Sequence, residues 1–417
     1  MISTLLVSIS CRRNRSEFVT VALSDNFSTL DTLTSKAAAS AADERVRNLM
    51  FNTLVKKDES FEYVGELASE IKTSEDGKVI TFVLRDGVKF HNGKDFTSAD
   101  VKYTFDELFK SGGYKSGAFF DTVNKERVAH ILSMETPDAK TFVVTVGRPA
   151  LKNQLLSNLV AIPIIPEGTV EQQKTNPIGS GPFKFTKFDQ SQNTVEFDAF
   201  DQYWEGAPKF PKLRVKTVTD ASALQAELQT GSVDLAPAPS NMPPDTLKLL
   251  NGMGNIKVEQ FEGSNIQYIG LNTTSAPLNN QKIRQAIGYA IDREKLINEL
   301  LSGQAKIASS VLPAGSWAYS TGTQYNFDPE RSRQLLKEAG YKDEPIKFKY
   351  SSGNAAFNSY AQAIQSSLAA VGLNVQIETV DPGTLRTQLA QGQYQMNTGV
   401  WIVPCRVASS PRRAAPS

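Results

Sequence analysis

IKFKYSSGNAAFNSYAQAIQSSLAAVGLNVQIETV, residues 346–380, decides the fold class. Ile346, Phe348 and Tyr350 alternate as on a strand. Phe357, Tyr360, Ile364, Leu368 and Val371 then recur at helical spacing, and Gly372 ends the run. Val375 and Ile377 alternate again. A strand, a helix and a second strand of these lengths form a β-α-β unit, with two parallel strands and a right-handed crossover. The class is therefore α/β.

The same grammar extends upstream. Asp328-Pro329 sets a capping residue before a first-turn proline; Leu335, Leu336 and Ala339 follow, and Gly340 stops the helix. Asn279 or Asn280 can cap one helix carrying Ile283, Ile287, Ile291, Ile297 and Leu301. Residues 183–218 are β-rich, and 221–231 reads as a short helix followed by a strand at 233–236. The Pro-broken run AIPIIPEGT, 161–169, suits a passage between lobes. TFVVTV (141–146), VITFVL (79–84) and FVTVAL (18–23) read as strands. Asp86-Gly87 is a turn, Thr97 to Asp100 has capping-box spacing, and an Ala-rich helix is expected near 36–54. With 417 residues, at roughly 150 per domain, two to three domains are expected. Mixed sheets in more than one lobe, without internal repeats, complete the expectation.

Composition removes several classes of function. Lys+Arg 45 against Asp+Glu 44 gives a net charge of +1, so nothing pulls the chain as a whole toward nucleic acid or an anionic membrane. No apolar run approaches the roughly 18 residues of a membrane span. Two His and two Cys argue against a His/Cys zinc site and a disulfide scaffold.

The two ends stand apart. MISTLLVSIS leads to Cys11 and then Arg12, Arg13 and Arg15, and Ser8-Ile9-Ser10-Cys11 looks like a degenerate lipobox. The reading taken is an exported, lipid-anchored protein whose start lies upstream of Met1, against an accidental apolar N-terminus. After Trp401 comes IVPCRVASSPRRAAPS, without an acidic or aromatic residue. It reads as a frame error or truncation, against a disordered tail.

No motif for catalysis stands out. Ile178-Gly179-Ser180-Gly181-Pro182-Phe183-Lys184 fits neither a Walker loop nor a dinucleotide fingerprint, and Pro182 lacks an N–H for an anion; a tight turn entering a strand is expected. His91, in Phe90-His91-Asn92-Gly93, and His130 read as surface or structural, and no G-x-S-x-G elbow accompanies them. Trp317 and Tyr319 sit in the loop LPAGSWAYSTG and Trp401 ends the last strand-like run; each could line a pocket or plug a lobe edge. Tyr268 is expected in core packing.

Taken together, LRDGVKFHNGKDFTSADVKYTF (84–105), NPIGSGPFKF (176–185), IQYIGLNTTSAPLNNQKIRQAIGYAIDREKLI (266–297), FDPERSRQLLKEAGY (327–341) and LAAVGLNVQIETVD (368–381) resemble the family 5 extracellular solute-binding proteins. These are the peptide-, dipeptide- and nickel-binding components of bacterial ABC importers, and the resemblance runs from about Val19 to Trp401. It implies a two-lobed periplasmic binding protein, type II-like with an extra subdomain and here C-terminally truncated, that is not an enzyme. The implied division is 1–16 signal remnant and linker; 17–45 with 177–265 lobe I; 46–176 inserted subdomain; 266–401 an incomplete lobe II; and 402–417 an aberrant tail. The ligand-binding residues it implies are Asn26, Phe27, Asn265, Ile266, Gln267, Trp317, Met396, Asn397 and Trp401, with Cys11 as lipid anchor and no cofactor or metal. Peptide is the expected ligand, an oligosaccharide or other small solute the alternative within the family, and an exported hydrolase the alternative from another class. A permease with its ATPase is the expected partner, the chain acting as a periplasmic or cell-surface monomer. Peptide binders of this family place an acidic residue just after the Trp; Ile402-Val403-Pro404-Cys405 stand there instead.

Overall fold

The computed structural model describes residues 17–58, 62–237, 242–259, 265–312, 319–352 and 355–402. Cys11, Trp317 and the tail from 403 onward lie outside the described residues. The chain divides into two compact units, Met1–Lys56 with Tyr63–Pro239 and Lys57–Glu62 with Ser240–Ser417.

The first unit opens with β1 (Phe18–Leu23), α1 (Ala41–Met50), β2 (Val55–Lys57), β3 (Tyr63–Gly65), β4 (Ala68–Thr73) and β5 (Val79–Leu84). There follow α2 (Ser98–Ser111), β6 (Phe120–Val123), β7 (Glu126–Ala129), β8 (Ile131–Asp138), β9 (Thr141–Val146) and α3 (Leu151–Leu159). It ends with β10 (Phe183–Asp189), β11 (Thr194–Ala199), β12 (Lys212–Thr217) and α4 (Ala221–Thr230). One sheet has the order β1-β12-β11-β10, with only the β1/β12 pair parallel; a second, antiparallel, has the order β4-β5-β9-β8. The alternation that marks Val79–Leu84 and Thr141–Val146 as strands sends Ile80, Phe82, Leu84, Phe142, Val144 and Val146 into the core. There Phe105 of α2 stacks on Phe142 with ring centroids 5.9 Å apart, and Phe119 meets Phe105 edge-on.

Two elements of the first unit differ from the sequence reading, its first helix and the strand after α4. The first helix starts at Ala41, capped by Ser40, and ends at Met50. It stops early because the Met50 carbonyl accepts the Gly181 N–H at 2.8 Å, so the bend before β10 takes up the acceptor that another helical turn would have used. Residues 161–169 run inside the first unit, with Ile162, Ile164 and Ile165 buried in its core and the Ile164 N–H bonded to Asn52 O. The expected strand after α4 shrinks to one bridge, Leu235 beside Val21.

The second unit holds α5 (Pro244–Asn251), β13 (Asn265–Leu271), α6 (Gln281–Ala290), α7 (Arg293–Leu301) and α8 (Pro329–Ala339). Then come β14 (Ile346–Ser351), α9 (Ala355–Ala369), β15 (Val375–Val380), α10 (Pro382–Ala390) and β16 (Met396–Ile402). The sheet order is β13-β16-β14-β15; β14 runs parallel to β15 and β16, and β13 antiparallel to β16. The β-α-β unit read from 346–380 is therefore present. Its core gathers Ile346, Phe348, Ile364, Leu368 and Met396 with Ile283 and Ile287 of α6. The single helix expected over 283–301 is two, because Asp292 breaks the run and caps α7 by accepting the Lys295 N–H at 2.9 Å. No described helix is long and apolar enough to cross a membrane.

Candidate functional site

The expected ligand-facing residues fall in both units. In the first, the loop after β1 carries Asn26 and Phe27. Asn26 is exposed, its amide 3.4 Å from that of Asn193. Phe27 points inward, 6% exposed, with its ring edge-on to Phe188 at 5.1 Å. Asp43 of α1 holds this loop in place. Its Oδ1 accepts the N–H groups of Ser28 at 2.7 Å and Thr29 at 3.1 Å; Oδ2 accepts the Ser40 N–H at 2.7 Å and the Ser28 hydroxyl at 2.9 Å. Burial would raise the Asp43 carboxyl, but these donors hold it below the ordinary value. Ser40 Oγ closes the box by accepting the Asp43 N–H at 3.0 Å. The sequence reading passed over Asp43; Ser40-x-x-Asp43 was the signal that could have found it.

In the second unit, strand alternation divides the remaining candidates between two faces of one sheet. Asn265, Gln267 and Met396 lie toward one face, while Ile266, Asn397 and Trp401 hold register positions toward the other, with Ile266 opposite Trp401. Met396 is wholly buried beside Phe348. Asn265 and Gln267 are exposed, and the Gln267 amide donates to Thr398 Oγ1 at 2.8 Å. On the opposite face the Asn397 side chain, 4% exposed, lies over Gly270, where a Cβ would come 2.3 Å from Asn397 Oδ1. Among the described residues no hydrogen bond is made by the Asn397 amide, so a donor and an acceptor remain unused in one plane. Tyr268 shares this face, half-buried and laid over Gly399 rather than sunk in the core. Beside Asn397 in register stands Lys349, its ammonium donating to Gln388 Oε1 at 2.8 Å and Gln393 O at 3.0 Å.

The Gly-Ser-Gly string and His91 form one structural clamp in the first unit. A Cβ on Gly179 would lie 2.0 Å from Met50 O, so only glycine lets this turn rest on the end of α1. Gly179 N–H donates to His91 Nδ1 at 3.3 Å, Gly181 O lies 3.0 Å from His91 Nε2, and the His91 N–H donates to Gly179 O at 2.8 Å. Burial drives the imidazole down to about 4, only partly countered by the Gly181 carbonyl, which favours a neutral ring with Nε2–H as the donor. His130 is buried too, with Nε2 3.1 Å from Asp121 Oδ1. Among the described residues no three His, Cys, Asp or Glu side chains gather as a metal cage.

Residues 62–405 match the family model described as bacterial extracellular solute-binding proteins, family 5 Middle. A glutathione-binding protein from Salmonella paratyphi A is 31% identical over 92% of this chain and 73% of its own length. A probable D,D-dipeptide-binding periplasmic protein from Escherichia coli is 29% identical over 81% of this chain; the match spans 65% of that relative's length. In fold, the chain is similar to a Brucella suis protein, NikA, solved with Fe(III)-EDTA, at a TM-score of 0.80 and 23% identity over 92% of this chain and 79% of that one. Such structures are two-domain periplasmic binding proteins with mixed α/β sheets, the class that the β-α-β unit and the split core announce. Family members bind peptides or small solutes and work with an ABC permease. With four-fifths of its length under one family description, the chain belongs to the family 5 bacterial extracellular solute-binding proteins.

Proposed function

We propose that this chain is the capture component of an ABC importer, that its ligand is a peptide, and that hinge closure retains the ligand unchanged. The observation that carries this reading is the match over 92% of the chain to a relative named for binding glutathione. One face of the second unit's sheet supports it. Asn397, though 4% exposed, has an amide plane whose donor and acceptor match those of a peptide group, on the same sheet face as Ile266 and the Trp401 position. In the proposed site Asn26, Asn265, Ile266, Gln267, Asn397, Trp401 and Trp317 contact ligand, while Phe27 and Met396 act from the core beneath. Contacts made only in the closed state would let ligand shift an open–closed equilibrium. We extend the proposal to a lobe division near residues 46, 177 and 266, to action as a monomer, and to a lipid anchor at Cys11.

Calorimetric titration with mixed di- to pentapeptides, and separately with oligosaccharides, tests the ligand class. Saturable heat from peptides alone is expected; heat from oligosaccharides alone would overturn it. Labelled fatty acid incorporated in cells and lost in Cys11→Ala tests the anchor.

A further inference from the structure

Lys115 lies in the first unit, just past α2, and its side chain is 10% exposed. Its ammonium has two acceptors, Glu44 Oε1 at 2.7 Å and Ala161 O at 2.8 Å. Glu44 is shared, since Arg47 Nε donates to Glu44 Oε2 at 2.6 Å. The charged groups that face Lys115 are thus Glu44 and Arg47 from α1, with Asp31 of the loop before α1 farther off. Arg47 is itself buried, and its Nη1 has no hydrogen-bond partner among the described residues. Two buried cations therefore share one half-exposed carboxylate, which leaves the Lys115 charge poorly compensated. Burial accordingly pulls the Lys115 ammonium down to about 8, against the pull of Glu44.

The chain around Lys115 is also docked on the loop that Asp43 organises. Tyr114 N–H donates to Ser35 O at 2.8 Å, and a Cβ on Gly113 would stand 2.8 Å from Thr34 O. The Lys36 ammonium donates to Ser111 O. Residues 111–116, loop 31–36 and the first turn of α1 thus meet at one junction, and in that turn Asp43, just before Glu44, holds Ser28 and Thr29.

We propose that this junction is a proton-operated latch: when Lys115 loses its proton the loop between β1 and α1 locks down, and when Lys115 is protonated the loop opens more readily. The direction follows from linkage. In an opened junction Lys115 sits in water and keeps its proton to higher pH; in the closed junction it is buried and sheds it sooner. Proton loss therefore favours closure, from about pH 8 upward. Because Asn26 lies on this loop, the latch would tune ligand capture if the proposed function holds, but its test needs no ligand.

Amide hydrogen exchange of the whole chain, read at peptides covering residues 26–36 between pH 7 and 9.5 and corrected for intrinsic rates, measures the opening. The expected result for the wild-type chain is protection that is flat near pH 7 and rises by up to about tenfold per pH unit above about 8. Lys115→Met should be protected at pH 7 as the wild type is at pH 9.5, with no pH dependence. Lys115→Arg, charged throughout, should stay flat and weakly protected. Wild-type protection that does not change with pH, or a rise that persists in Lys115→Met, would overturn the latch. Either outcome leaves the peptide reading untouched, since that stands on titration calorimetry.

Discussion

Replacing Gly179 with alanine should damage the first unit more than any ordinary glycine substitution there. The new Cβ would lie 2.0 Å from Met50 O, 2.6 Å from Phe51 Cδ1 and 2.8 Å from Met50 C. Two of these three atoms are backbone, so no rotamer change relieves the clash. The turn must retreat by about 1 Å to reach ordinary contact distance. That retreat loosens the Gly181 N–H to Met50 O bond and the bonds between His91 and Gly179, each with a net contribution of about 1 kcal/mol. Three such bonds together with overpacking of about 1–3 kcal/mol give a loss of about 4–6 kcal/mol. Gly87→Ala is the control: its φ is +72° with open space around the Cβ, so backbone strain alone should cost about 1 kcal/mol. Urea unfolding followed by Trp204 fluorescence, with Trp317 and Trp401 changed to Phe, reads the first unit in both variants. If Gly179→Ala costs no more than Gly87→Ala, the clamp does not hold the end of α1 as argued.

Stability of the first unit should fall as pH drops from 6.5 toward 4, because His91 is held near 4 in the fold and returns to 6.5 when unfolded. The loss reaches about 3 kcal/mol at full protonation, and His91→Gln melts over that range should lack this component. Asp43→Ala should cost about 1–2 kcal/mol through the lost cap and, in hydrogen exchange, release the Ser28 and Thr29 amides; protection unchanged at both would exclude Asp43 as the loop's anchor. Asn397→Ala should weaken peptide binding about tenfold while shifting the melt little, which calorimetry beside a thermal scan will decide. Gly270→Ala should displace the same amide and lower affinity by a similar factor, an effect that vanishes in the Asn397→Ala background if it acts through that side chain.

Much of the fold was legible because its signals are local. FVTVAL and VITFVL are strands with the bounds the alternation suggests, and Asp328-Pro329 with Gly340 brackets α8 as read. Where the reading erred, either a local cap cut across the periodicity or a distant partner decided the outcome. Periodicity over 283–301 could not show that Asp292 would spend its carboxylate capping a second helix. Nothing near Met50 in sequence announces that Gly181 will claim its carbonyl. The site was less legible still. Resemblance named Met396 and Asn397 together, yet neighbours on a strand face opposite ways: Met396 packs in the apolar core, while the Asn397 amide, also buried, makes no hydrogen bond among the described residues. Asp43 escaped notice because a buried carboxylate held by backbone donors looks, in sequence, like any helical acid.

The last strand of the second sheet also has a temporal meaning. Met396–Ile402 inserts between β13 and β14, so Thr398 finds Tyr268 130 positions away in the chain. Until residues 396–402 have been made, β13 lacks the strand beside it while β14 can already pair with β15, and closing so long a loop is slow relative to local helix formation. β13 therefore waits as a bare edge while the helices between it and its partner can already form from local contacts alone.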